Sequence, residues 1–124
     1  MEEYSLGAVE GRFADLIWEK EPIVMSELIP LCEEIFGWKR TTTYTVVKRL
    51  SGKGIFQNKD GIVSAVLSKE EFYARQSEEY VESSFGGSLP GFLAAFTRRR
   101  KLSEEDIANL QEIIAKCEPE DTKE

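Results

Sequence analysis

The densest chemistry in the chain lies in a 23-residue stretch, 37–59. It carries Lys39, Arg40, Lys48, Arg49, Lys53 and Lys59 without a single acid, and Thr41, Thr42, Thr43 and Thr45 between them. Lysine and arginine neutralise phosphates, and threonine hydroxyls bond to phosphates or base edges while their methyls can touch a thymine methyl. Catalysis of the usual kinds is a poor fit. The chain has no histidine, which removes the commonest general base, the commonest metal ligand and every Ser-His or Cys-His pair. The adjacent carboxylates Glu33-Glu34 and Glu104-Glu105-Asp106 fall on helix surfaces or caps. A protein that is not an enzyme and needs no cofactor is expected.

The whole chain of 124 residues has a net charge of −7, which by itself argues against a polyanionic partner. The distribution reverses that reading. Residues 1–36 hold 9 acids and 2 bases, whereas 37–59 hold 6 bases and no acid, and 98–101 are Arg98, Arg99, Arg100 and Lys101. Acidic flanks around one basic stretch favour a defined docking face over general adhesion. Cys32 and Cys117 have no partners at metal-ligand spacing and read as isolated thiols of a reducing compartment. No apolar run approaches the ~20 residues of a membrane span, and the start Met1-Glu2-Glu3 is acidic where a secretory signal is basic. A cytoplasmic protein with no membrane insertion is the expectation.

The basic stretch needs elements to hold it. Val9, Phe13, Leu16 and Ile17 recur at helical spacing, so a first helix runs from Val9 to Lys20, stopped by Glu21-Pro22. Ile23-Val24 suggests a one-rung strand. A second helix follows over about 26–36, with Ser26 as N-cap, Pro30 near the edge of the first turn and Gly37 as terminator. Residues 41–53 are rich in threonine and valine, which favour strands. Tyr44, Val47 and Leu50 nonetheless fall at three-residue steps without period-two alternation, so a third helix is expected, with Thr41 or its neighbour as cap and Gly54 as stop. The β-prone residues around Asp60-Gly61 read as a hairpin. Ser68 with Glu71 opens a fourth helix. A short apolar helix from Pro90 to Phe96, closed by Arg98–Lys101, and a last helix capped by Ser103 complete the chain.

Three helices, a hairpin and three more helices give a mainly α fold with a small β-hairpin. The first part is an N-terminal winged helix-turn-helix, the second a C-terminal helical dimerisation region. The expected division is a winged-helix DNA-binding domain at 1–68, a helical dimerisation domain at 69–117 and a disordered tail at 118–124. The third helix enters the major groove of double-stranded DNA and the hairpin is the wing. The DNA-binding set is then Arg40, Thr41, Thr42, Thr43, Thr45, Lys48, Arg49, Lys53 and Lys59. The C-terminal part is rich in large apolar groups that need a partner surface, so a homodimer is expected through Phe72, Tyr73, Tyr80, Phe85, Leu89, Phe92, Phe96, Ile107, Leu110 and Ile114. An alternative from another class is a winged-helix interaction module whose basic face meets an acidic protein.

Leu16-Ile17-Trp18-Glu19-Lys20-Glu21-Pro22-Ile23 and the run from Trp38 to Gly54 resemble the penicillinase repressors, a family that includes methicillin-resistance repressors and copper-responsive relatives. Trp38, Thr42, Thr45, Arg49, Leu50, Lys53 and Gly54 fall on its signature. The likeness continues through Phe85-Gly86-Gly87-Ser88-Leu89 and Lys101–Ile107. The resemblance implies a homodimeric transcriptional repressor on a palindromic operator, relieved by a signal that the residues do not identify. In the antibiotic-responsive branch a membrane sensor-protease triggers cleavage of an Asn-Phe bond; the matching position is Ala95-Phe96, which keeps the phenylalanine and lacks the asparagine. In the copper-responsive branch a C-terminal cysteine cluster binds metal, whereas Cys117 stands alone. The family usually has arginine after the wing glycine; here Ile62 follows Gly61, which removes one expected phosphate contact.

Overall fold

A computed structural model describes residues 6–120. The acidic start Met1-Glu2-Glu3 and the end of the tail expected over 118–124 lie outside the described residues. The chain forms α1 (Ala8–Lys20), β1 (Ile23–Val24), α2 (Met25–Phe36), α3 (Arg40–Gly52), β2 (Phe56–Lys59), β3 (Ile62–Ala65), α4 (Lys69–Phe85), α5 (Leu89–Arg99) and α6 (Glu104–Lys116). The strands make an antiparallel sheet in the order β1-β3-β2. This is the expected winged helix followed by a helical region. Two compact units divide at Gly87–Ser88.

The first unit is built on one apolar cluster. Phe13 and Ile17 of α1, Leu28 and Cys32 of α2, Leu50 of α3, Ile55 and Phe72 are each fully buried. Each is a large group removed from water, and together they hold the three helices to the sheet. Trp18 closes the cluster: its rings lie 5.3 Å from Phe56 and 5.6 Å from Phe72, and its Nε1–H donates to the Leu67 carbonyl at 2.9 Å. Phe72, expected at a dimer interface, is therefore a core residue of this unit, because the first turns of α4 pack onto Trp18. The Lys69–Asp15 ion pair, at 3.0 Å, ties the same turn to α1.

The wing turns at Asp60 (φ 53°) and Gly61 (φ 84°). Two successive positive φ values make the tight two-residue turn whose twist matches a hairpin, and glycine adopts that conformation without Cβ strain. Asn58 Oδ1 accepts from the Gly61 N–H at 2.9 Å, fixing the tip. The Gly61 carbonyl in turn accepts from the Met25 N–H at 2.8 Å. That bond satisfies the first orphan donor of α2, and it explains why the expected Ser26 cap is absent: the N-cap is Val24, without a side-chain bond. Pro30 sits at the sixth position of α2, in its second turn rather than at the edge of the first.

Two details of α3 differ from expectation. Its N-cap is Lys39, with no side-chain cap, so Thr41 is already inside the helix. The buried set is Thr43, Val46, Val47 and Leu50, the i, i+3, i+4, i+7 stripe of a 3.6-residue helix. Tyr44 therefore lies outward, because strict three-residue steps drift around the helix.

The second unit carries the expected Ser103 cap and one that was not expected, Ser88. Ser88 Oγ accepts from the Gly91 N–H at 2.9 Å and Ser103 Oγ from the Asp106 N–H at 3.0 Å; Ser68 does the same for Glu71 at the start of α4. α5 runs to Arg99 rather than Phe96, so Arg98 and Arg99 fall in its last turn.

Phe72→Ala is expected to cost about 3–5 kcal/mol of stability, the range for emptying a buried phenylalanine site, read from the denaturation midpoint. Cys32 is fully buried and burial pushes its thiol up, with the neighbouring Thr43 hydroxyl acting in the opposite direction. Cys117 is exposed. Alkylation at neutral pH should label Cys117 in the native protein and Cys32 only after unfolding, because the thiolate is the reactive form; mass spectrometry of a timed reaction checks this.

Candidate nucleic-acid interface

The junction between α2 and α3 sets the direction of α3. Gly37 leaves α2 in the left-handed conformation at φ 70°, which glycine adopts readily. Trp38 then stacks on Phe36 at 4.7 Å and packs on Phe13 at 5.4 Å. Three residues thus turn the chain, and an aromatic wedge fixes the turn to the core.

With Thr43, Val46, Val47 and Leu50 inward, the 100° step per residue puts Thr41, Thr45 and Lys48 on the opposite, solvent-facing side. All three are exposed. The Thr45 hydroxyl donates to the Thr41 carbonyl at 2.9 Å, so its lone pairs and methyl remain for an outside partner. Arg40 is exposed, its guanidinium 5.4 Å from the centre of the Tyr44 ring. Lys59 is exposed at the end of β2, beside the wing tip, and Lys53 is half-buried at the C-cap of α3. These residues all lie on α3, at its C-cap or on the first strand of the wing, with Asp60 beside Lys59 at the wing tip.

Three members of the expected DNA-binding set stand apart. Thr43 is fully buried and is withdrawn from any surface: its hydroxyl lies in the core, where it lacks a hydrogen-bond partner of ordinary geometry. Thr42 and Arg49, seven residues apart, share the flank toward α1, where the Arg49 guanidinium donates to the Glu10 carboxylate. Arg49 thus reaches this surface already paired with an acid, while Thr42 is exposed beside it. Glu10 lies 39 residues away in sequence, and no local pattern connects the two. Tyr44 and Asn58 were not among the expected contacts, yet both line a cleft between α3 and β2 together with Val47, Lys48 and Ser51. The helical phase of the buried stripe is the signal that finds Tyr44.

Apolar groups in the second unit are displayed rather than buried. Neither α5 nor α6 contains a buried residue. Leu89 and Ile114 are 62% and 65% exposed, and Phe96 and Ile107 are also open. Phe92, Phe96 and Leu110 line an apolar groove of about 320 Å³ with Leu93, Leu102 and Ile113. Ala95 and Phe96 lie inside α5, exposed but within hydrogen-bonded helix. On α4, Tyr80 is exposed and meets the half-buried Phe85 edge-on at 6.0 Å, and Tyr73 lies 6.2 Å from Trp18. Among the described residues, no helix is long and apolar enough to cross a membrane.

Residues 6–116 match the family described as penicillinase repressor. The methicillin resistance regulatory protein MecI of Staphylococcus aureus strain Mu50 is 22% identical over 117 residues, covering 91% of this chain and 95% of that protein. The MecI protein of Mammaliicoccus sciuri is 21% identical over the same shares. With a family match extending from α1 to the last residue of α6, the chain belongs to the penicillinase repressors, a family of transcriptional repressors.

Proposed function

We propose that this chain represses transcription as a homodimer that binds a palindromic operator in double-stranded DNA. The part up to residue 68 docks on the duplex, exposed apolar residues within 69–117, not the buried Phe72, supply the dimer contacts, and an unidentified signal reverses the binding. The observation that carries this reading is the coincidence of charge with geometry. The stretch 37–59, without one acid in a chain of net charge −7, supplies the exposed face of α3 and the first strand of the wing. Phosphate neutralisation needs cations there, and acids elsewhere discourage other docking modes.

In this arrangement Thr41 and Thr45 face the major groove, and Arg40, Lys48, Lys53 and Lys59 reach phosphates on either side. Arg49 reaches a phosphate only by sharing its guanidinium with Glu10 or leaving it. A dimer is supported by the uncovered apolar residues of α5 and α6, which a second copy of the same surface would bury. Two α3 helices on a two-fold axis would read half-sites about one helical turn, ~34–36 Å, or a multiple apart. MecI is named for methicillin-resistance regulation; a role in regulating antibiotic resistance is the corresponding proposal for this chain. The departure of Ala95-Phe96 from Asn-Phe, and its place within helical backbone, leave no support for release by a sensor-protease at that bond.

Selection from random duplexes, with affinity followed against salt, tests the reading. Enrichment of a palindrome with a steep salt slope is the expected result; absence of salt-dependent duplex binding would overturn it and favour an acidic protein partner. Thr45→Ala should reduce discrimination between the operator and a mismatched site by about 1–3 kcal/mol. Lys59→Gln should weaken all duplexes alike and flatten the slope of log K against log[salt] by about one per bound chain. Ile114→Glu should convert the dimer to monomer in sedimentation velocity while leaving the melting of the first unit unchanged.

A further inference from the structure

The cleft between α3 and β2 has a chemistry that the groove-facing residues do not explain. It encloses about 380 Å³ and is lined by Tyr44, Val47, Lys48, Ser51 and Asn58. Every polar side chain on its walls has a hydrogen to donate, and none is a carboxylate. Lys48 brings an ammonium and Tyr44 a phenol. The orientation of Asn58 follows from the wing turn: Oδ1 accepts the Gly61 N–H at 2.9 Å, so the NH2 group is left for another partner. The Ser51 hydroxyl lacks a hydrogen-bond partner within the fold. Tyr44 is 40% exposed, and the Arg40 guanidinium lies over its ring at 5.4 Å. That cation holds the phenol at the mouth of the cleft and adds a positive charge beside it.

Such a collection, with a cation and no carboxylate, suits an anion. We propose that this cleft seats one backbone phosphate of the DNA strand that passes between α3 and the wing, with Tyr44 Oη, Lys48 Nζ and Asn58 Nδ2 as its donors. The inference rests on the DNA-binding reading above and deepens it by assigning a particular phosphate to particular residues. Phosphate fits better than a base edge. A base edge carries no net charge, whereas these walls hold a cation and no carboxylate, and the Asn58 oxygen is already engaged by Gly61. A seat of this kind contributes register rather than sequence preference. It would also give the wing side of the unit a hold on the strand that Ile62, an apolar residue beside the wing tip, does not supply.

The test uses the full chain and its selected operator, with single phosphates replaced one at a time by uncharged methylphosphonate linkages. In the wild-type protein one linkage per half-site should weaken binding about tenfold, as expected for losing hydrogen bonds to a charged group. Tyr44→Phe should weaken binding to the unmodified operator and lose much of its sensitivity at that same linkage. Asn58→Asp keeps the oxygen that accepts from Gly61 but presents a negative charge to the cleft. It should bind the unmodified operator poorly and be partly rescued by the neutral linkage at that position only. Melting temperatures close to wild type for both variants establish that the wing is intact. Affinities unchanged in both variants would overturn the seat, as would losses that match no single linkage or that follow base identity. Failure of the wild-type chain to bind any duplex would instead remove the DNA-binding reading, and the seat with it.

Discussion

Everything the first unit presents to its surroundings depends on how α3 is rotated about its own axis, and burial of one stripe fixes that rotation. Val46, Val47 and Leu50 belong to the same buried cluster as Phe13, Leu28 and Phe56, and fully burying each such group is worth about 1.5–3 kcal/mol. Turning the helix by a single residue would expose part of the stripe and bury Lys48 or Thr45 instead. The outward placement of Thr41, Thr45 and Lys48 is thus imposed from behind. The Trp38 wedge and the Arg49–Glu10 pair hold the two ends against the same core, so the helix is preorganised before any partner arrives. Preorganisation lowers the ordering cost of binding.

Much of this was legible in the residues, and the failures have physical causes. Helix boundaries followed from hydrophobic period and from Ser68 and Ser103, whose caps are local interactions encoded within four residues. The Asp60-Gly61 turn was equally local. What escaped was non-local. Ser26 failed as a cap because a carbonyl from the wing, that of Gly61, met the first N–H of α2. Phe72 looked like a helix-face aromatic awaiting a partner chain, and only tertiary packing on Trp18 shows where its ring is buried. Thr43 and Tyr44 exchanged roles because neighbouring positions lie 100° apart, and a small error of phase decides which of the two faces solvent. Of the expected contact set, Arg40, Thr41, Thr45, Lys48 and Lys59 are all exposed. Arg49 is exposed with a carboxylate attached.

The two units solve opposite problems. The first has enough apolar residues around Phe13 and Trp18 to close a core by itself. The second has amphipathic helices, α5 and α6, with no buried residue. In the proposed dimer, folding and assembly would be linked by mass action, and protein concentration would become part of the stability of α5 and α6.

The division of α3 into a buried stripe and an outer row also separates two kinds of inheritance. Thr41, Thr45 and Lys48 touch nothing in the core, so substitutions there leave stability nearly unchanged while altering what the helix encounters outside. Changes along Val46, Val47 and Leu50 do the reverse. A lineage built on this scaffold can diverge in what its outer row meets while the buried stripe keeps the helix in place.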